Sequence, residues 1–177
     1  EGRAKGIRSC VVTAGHINRE PLLHLVQVVD AIKIDLKSFR QDFYANYVRG
    51  ELQPVLEAIK IVHQSKVWLE LVYLVIPTLN DKAAEIRQMS QWIKSEIGPD
   101  VPLHFSRFQP MYLVQTLPPT PVSTLEKARD IALAEGLRYV YIGNVPGHEA
   151  ENTFCPRCQH VIIERVGFQV NKIDIKA

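Results

Sequence analysis

Two groups of residues in this 177-residue chain have types and spacings that could do chemistry. The first is Asp35-Leu36-Lys37. Alternate residues of an extended strand point the same way, so this carboxylate and ammonium would stand side by side. Such a couple suits a zwitterionic ligand such as an amino acid; it equally suits an ordinary ion pair at a strand end, and the spacing is compatible with both. The second group is Cys155-Pro156-Arg157-Cys158, followed by Val161–Arg165, a turn at Gly167 and Phe168-Gln169-Val170. A C-x2-C turn leading into a hairpin is one half of a zinc ribbon, and tetrahedral zinc takes four ligands. His148 and His160 are the nearest candidates to complete it, so the expected metal set is Cys155, Cys158 and His148, with zinc as the candidate ion. Two reduced thiols or a redox pair is the competing reading.

Hydrophobic periodicity supplies the elements that must position these groups. Ile7–Thr13 reads as a strand, Pro21–Val29 as a helix opened by proline, and Ala31–Leu36 as a second strand. Residues 39–50 read as a loop. Leu52, Val55, Ile59 and Val62 then share one helical face, with Pro54 in the first turn. Val67–Ile76 is a near-continuous apolar strand, a pattern expected where both faces are covered. Asn80-Asp81 is expected to cap a helix with inner face Ile86, Met89, Ile93 and Ile97. Val101–Phe108 is a fourth strand. Ser123 and Glu126 form a capping box for a helix over Ser123–Glu135, which Gly136 ends, and Leu137–Ile142 is a fifth strand. Strands alternating with helices give βαβ units and a parallel sheet, hence an α/β fold, either a barrel segment or a doubly wound sheet. The beat stops at the Gly/Pro-rich stretch 143–147, which marks a boundary between residues 1–143 and a C-terminal extension, 144–177. Cys10 falls mid-strand and is expected to be buried; His104, between Leu103 and Phe105, is expected to be structural.

Ligands of such folds gather at the carboxyl ends of the strands. Read in order, those ends carry Thr13-Ala14-Gly15, Asp35-Leu36-Lys37, Pro77 through Asp81, and Arg107-Phe108-Gln109-Pro110. This ordered set resembles the second half of the radical S-adenosylmethionine (SAM) proteins that activate glycyl radical enzymes. The stretches 117–121, 136–148 and Glu151-Asn152-Thr153-Phe154-Cys155-Pro156-Arg157-Cys158 resemble, more closely, the AmmeMemoRadiSam radical SAM enzymes, homologues of the pyruvate formate-lyase activating enzyme. The resemblance covers nearly the whole chain. It implies the C-terminal portion of a partial (β/α)6 radical SAM barrel, strands three to six plus one extra strand, of TIM-barrel type, followed by the Cys-x2-Cys knuckle and hairpin. It implies SAM as cofactor, with Asp35 and Lys37 holding its methionyl part, Thr13 and Gly15 in a turn beside it, and Gln109 where relatives often carry a histidine that reaches SAM. It also implies the family's reaction, reductive cleavage of SAM to a 5′-deoxyadenosyl radical. Ala14 replaces the asparagine of the family's turn, and Val12 stands where activating enzymes carry aspartate.

Such enzymes bind a 4Fe-4S cluster through C-x3-C-x2-C, because three thiolates from one short loop must converge on one cube. Cys10, Cys155 and Cys158 are the only cysteines of this chain, and no such window holds them. The cluster ligands are therefore expected upstream of the chain. The partner expected is that missing N-terminal segment or another subunit, since an unpaired edge at Ile7–Thr13 would otherwise be open. The substrate is expected to be a protein or a small molecule. The alternative is a non-catalytic module that binds SAM or a partner and carries a zinc knuckle. A net charge of +2, with dispersed basic residues, argues against nucleic acid; no apolar run approaches the roughly 20 residues of a membrane span. Three cysteines do not make a disulfide framework, which points to a reducing cytoplasm. One outcome follows directly from the cysteine spacing. Anaerobic iron–sulfur reconstitution of the 177-residue chain alone should give no cluster absorbance and no 5′-deoxyadenosine from SAM, and a stoichiometric cluster with turnover would overturn it.

Overall fold

The computed structural model describes residues 2–175. The fold is α/β, with a five-stranded parallel sheet in chain order: β1 (Cys10–Thr13), β2 (Ala31–Asp35), β3 (Trp68–Val75), β4 (Leu103–Arg107) and β5 (Val140–Gly143). A separate antiparallel sheet is ordered β6 (Thr153–Phe154), β7 (Val161–Val166), β8 (Gln169–Ile173). The helices are α1 (Arg19–Leu25), α2 (Gln41–Phe43), α3 (Leu52–Gln64), α4 (Ala83–Glu96) and α5 (Val122–Ala134). The chain divides into two compact units between Tyr73 and Leu74, a point that falls inside β3 rather than at the Gly/Pro stretch after Gly143.

In the first unit, β2 is the middle strand. Its register puts Val12 beside Lys33 and Thr13 beside Ile34 on one flank, and Glu70 beside Lys33 and Val72 beside Asp35 on the other. Alternation then sorts the side chains. Ile32, Ile34, Leu69, Leu71 and Tyr73 are buried, together with Val55, Ala58, Ile59 and Val62 of α3. The opposite face carries Lys33, Asp35, Glu70 and Val72, all half-buried. The apolar run Val67–Ile76 had implied cover on both faces; β3 instead alternates, because only one of its faces meets helices. The first strand is also shorter than the apolar run suggested. The Asp30 carboxylate accepts the Ser9 N–H at 2.8 Å, and the β1–β2 register starts only at Cys10. Cys10 is exposed at the start of that strand, not buried in its middle. The expected loop over 39–50 is helical: α2 continues as a π-helix, Tyr44–Val48, which Arg49 ends at φ 61°. A single π-turn has no 3.6-residue stripe to betray it.

In the second unit, β4 and β5 pair Leu103 with Val140 and His104 with Tyr141, and the latter two rings stack at 4.8 Å. The core is Ile86, Met89 and Ile93 of α4, Leu125, Ala128 and Ala132 of α5, and Leu103, Phe105, Val140 and Ile142 of the strands. Both expected caps are absent. Lys82 precedes α4 and Pro121 precedes α5, each without a side-chain cap. Asn80 has other work. Fully buried, it donates its amide to the Leu74 carbonyl at 2.9 Å and accepts the Ile76 N–H at 2.6 Å, holding the end of β3. Asp81 accepts the Thr78 N–H at 3.0 Å. Thr120 is the corresponding clasp between strand ends. Its hydroxyl donates to the Val75 carbonyl at 2.6 Å and accepts the Phe108 N–H at 3.0 Å, with no exposed surface. Thr120→Val keeps the shape but leaves a buried carbonyl and N–H unpaired, a loss of about 1–3 kcal/mol per stranded group. Denaturant melts of this variant should show that loss without a change in secondary structure, and wild-type stability would refute the clasp.

Candidate functional site

In the first unit the chain leaves β1 at Thr13, whose hydroxyl accepts the Gly15 N–H at 3.1 Å. Gly15 sits at φ 73°, and a Cβ there would lie 2.8 Å from Ile34 Cγ2 and 3.2 Å from Val55 Cγ1. No other residue fits between β2 and α3 at that point. The chain leaves β2 at Asp35. Leu36 still donates its N–H to the Val72 carbonyl at 2.9 Å, but the Lys37 N–H goes to the Tyr44 hydroxyl at 3.1 Å. The Lys37 ammonium meets Asp35 Oδ2 at 2.7 Å, each side chain about one-third exposed at 32% and 29%. Tyr44 was not singled out from the sequence, where it is one aromatic among several with no chemical spacing. Burial pushes its phenol up to about 12; the Lys37 N–H opposes that rise and the nearby Asp35 carboxylate adds to it. Tyr44 therefore stays a neutral prop for Lys37 at any physiological pH. Gln109 lies in the second unit, exposed just beyond β4.

The second unit also holds the cysteines of the C-x2-C turn. Cys155 donates its N–H to the His160 carbonyl at 2.8 Å, and Gln159, at φ 60°, returns its N–H to the Cys155 carbonyl at 2.9 Å. The backbone N–H groups of Cys158 and then Arg157 hold the Cys155 thiol below its ordinary value, with the Cys158 thiol and the Arg157 charge assisting. His148 is not brought to this pair. Its Nδ1 accepts the Ala150 N–H at 3.0 Å, capping the 3-10 turn Glu149–Glu151, and its Nε2 lies 3.3 Å from Glu126 Oε1. His160 faces Asp174 at 3.0 Å. Among the described residues no group of three or more His, Cys, Asp or Glu is placed to hold a metal ion. Glu151, also missed in the sequence, is a buried clip: its two oxygens accept the N–H groups of Gly147 and Gly167 at 2.8 and 3.1 Å. It fastens the hairpin turn to the segment that follows β5.

The donor chemistry of the first unit fits the amino-acid end of SAM, since a carboxylate and an ammonium stand together at a strand end on the open face of the sheet. A 4Fe-4S cluster does not fit this chain's residues. One cysteine lies on β1 and the other two in the turn after β6, with no third thiolate in the same loop. No helix among the described residues is long and apolar enough to cross a membrane.

The architecture is similar to that of solved domains from two other proteins. It is similar to a domain of pyruvate-formate lyase-activating enzyme from Bacteroides vulgatus, with TM-score 0.69 and 14% identity over 80% of this chain and 84% of that one. It is also similar to a radical SAM methyltransferase from Sphaerobacter thermophilus, with TM-score 0.61 and 13% identity over 80% of this chain and 42% of that one. At such identities the likeness is one of fold. In sequence, an uncharacterized protein of Methanocaldococcus jannaschii is 44% identical over 173 residues, which are 98% of this chain and 51% of that protein. The chain thus spans about half the length of this curated relative. No family model matches.

The turn makes a testable statement about Cys155. The backbone donors favour its thiolate, so its alkylation by iodoacetamide should rise with pH through a midpoint below that of a free cysteine thiol. Arg157→Glu keeps the backbone donors and reverses the assisting charge, so it should move that midpoint up. A wild-type midpoint at or above that of a free cysteine measured alongside, read residue by residue by mass spectrometry, would sink the assignment.

Proposed function

We propose that this chain is the C-terminal part of a radical SAM enzyme of the AmmeMemoRadiSam type, and that the carboxyl end of β2 receives the methionyl part of SAM. The observation that carries this reading is the Asp35–Lys37 pair, accessible at a strand end on the sheet face that no helix of its unit covers. The Asp35 carboxylate accepts from the ligand's α-ammonium, and the Lys37 ammonium donates to its α-carboxylate. Tyr44 keeps the Lys37 backbone in place, and the Gly15 turn brings backbone close where any larger residue would collide with Ile34. When bound, SAM supplies the 5′-deoxyadenosyl group that such enzymes convert to a radical. The 4Fe-4S ligands belong, on this reading, to polypeptide outside this chain, an N-terminal segment or another subunit. That polypeptide also covers β1, where Val12 is 63% exposed on an edge strand.

Charge-assisted hydrogen bonds of this kind contribute about 1.5–3 kcal/mol, or roughly 10- to 100-fold in affinity. Equilibrium dialysis should therefore find SAM bound by the chain and weakened by about that factor in Asp35→Asn and in Lys37→Met. Their circular dichroism and melting should stay close to wild type. Unchanged affinity in both variants, or no binding of SAM at all, would count decisively against the assignment.

A further inference from the structure

We propose that the Cys155-Pro156-Arg157-Cys158 turn is half of a tetrathiolate site for a soft divalent cation such as zinc, and that a second copy of this chain supplies the other half across a twofold axis. The turn has the form such a site requires. Its ends are closed by the Cys155 N–H to the His160 carbonyl and the Gln159 N–H to the Cys155 carbonyl, so both cysteines belong to one closed turn. Residues 156–160 are all exposed, Cys158 among them.

The other described residues do not complete the set. Structural zinc is four-coordinate, and two thiolates leave two positions to fill. His148 has both ring nitrogens engaged, with Ala150 and Glu126, and His160 turns its Nε2 to Asp174. No third His, Cys, Asp or Glu joins the pair among the described residues. A twofold axis through the metal repeats the same pair on the opposite side and closes the tetrahedron with four equivalent sulfurs. Charge favours the same arrangement. Four thiolates on a divalent cation carry two surplus negative charges, and two copies bring two Arg157 guanidinium groups to the rim. Loading releases the protons still held by the four thiols.

Cobalt reports both the donor set and the count. The chain, stripped with a chelator and kept anaerobic with a phosphine reductant, is titrated with Co(II) and then with Zn(II), while its mass is followed by sedimentation. The expected result is saturation at one metal per two chains, sulfur-to-cobalt absorbance at the intensity of four thiolates, and a doubling of mass that appears with metal and reverses with chelator. Cys155→Ser and Cys158→Ser should each lose the metal and the doubling, and Cys10→Ser should lose neither. One metal per chain at unchanged mass, cobalt spectra with two thiolates, or no uptake would each overturn the proposal, and none of these results bears on SAM binding at Asp35 and Lys37.

Discussion

A parallel strand that leaves its ladder must hand its last backbone groups to new partners, and when the exit is buried those partners have to come from side chains. Three residues perform that service here. Asn80 takes the Leu74 carbonyl and the Ile76 N–H, Thr120 takes the Val75 carbonyl and the Phe108 N–H, and Tyr44 takes the Lys37 N–H. Asn80 and Thr120 have no exposed surface and Tyr44 almost none. They are committed to the scaffold, which leaves the accessible polar residues near the strand ends for other work. The division is physical: a buried group spent on a backbone partner cannot also turn to a ligand without stranding that partner at about 1–3 kcal/mol.

The second constraint is that only one face of the first unit's strands meets helices. Gly15 shows how close that contact is, since even a methyl group would collide with Ile34 and Val55. The other face stays half-open and carries Lys33, Asp35 and Glu70. The sheet of this unit therefore has one polar, partly accessible face. The C-terminal sheet is attached by different means. Glu151 bonds both Gly147 and Gly167, Tyr141 bonds Thr153, and Arg165 lies over the Tyr141 ring. These contacts tie the segment that follows the Gly/Pro stretch to β5 and to the turn between β7 and β8.

Much of this was legible in the sequence wherever a period exists. The stripe of Val55, Ile59 and Val62, and that of Ile86, Met89 and Ile93, mark α3 and α4, and Asp35 and Lys37 share a side because strands alternate. What the residues did not disclose depends on partners remote in the chain or on turns without a period. Ser123 and Glu126 have capping-box spacing, yet Glu126 is drawn to His148 and α5 starts without a side-chain cap. Asn80 looks like a cap but serves β3. His148 lies seven residues before Cys155, which made it a natural ligand candidate, and it is consumed by the 3-10 turn that it begins. Cys10 is exposed because it opens β1, an edge strand, and lies with Val12 on the more exposed of that strand's two alternating sides.

The Asp35–Lys37 pair can be weighed as ion pair against ligand site by magnitude. An ion pair with both side chains about one-third exposed contributes between about 0 and 1 kcal/mol, because water already serves each charge. As a structural device it would therefore be weak, and the backbone of Leu36 and Lys37 is tied separately, to Val72 and to Tyr44. A zwitterion entering between them replaces one weak pair with two charge-assisted contacts, each worth about 1.5–3 kcal/mol once water is excluded. The exchange gains more than it gives up, and the backbone that carries both residues need not move. Weakness of the pair in isolation is thus the property that a site for an amino-acid group requires.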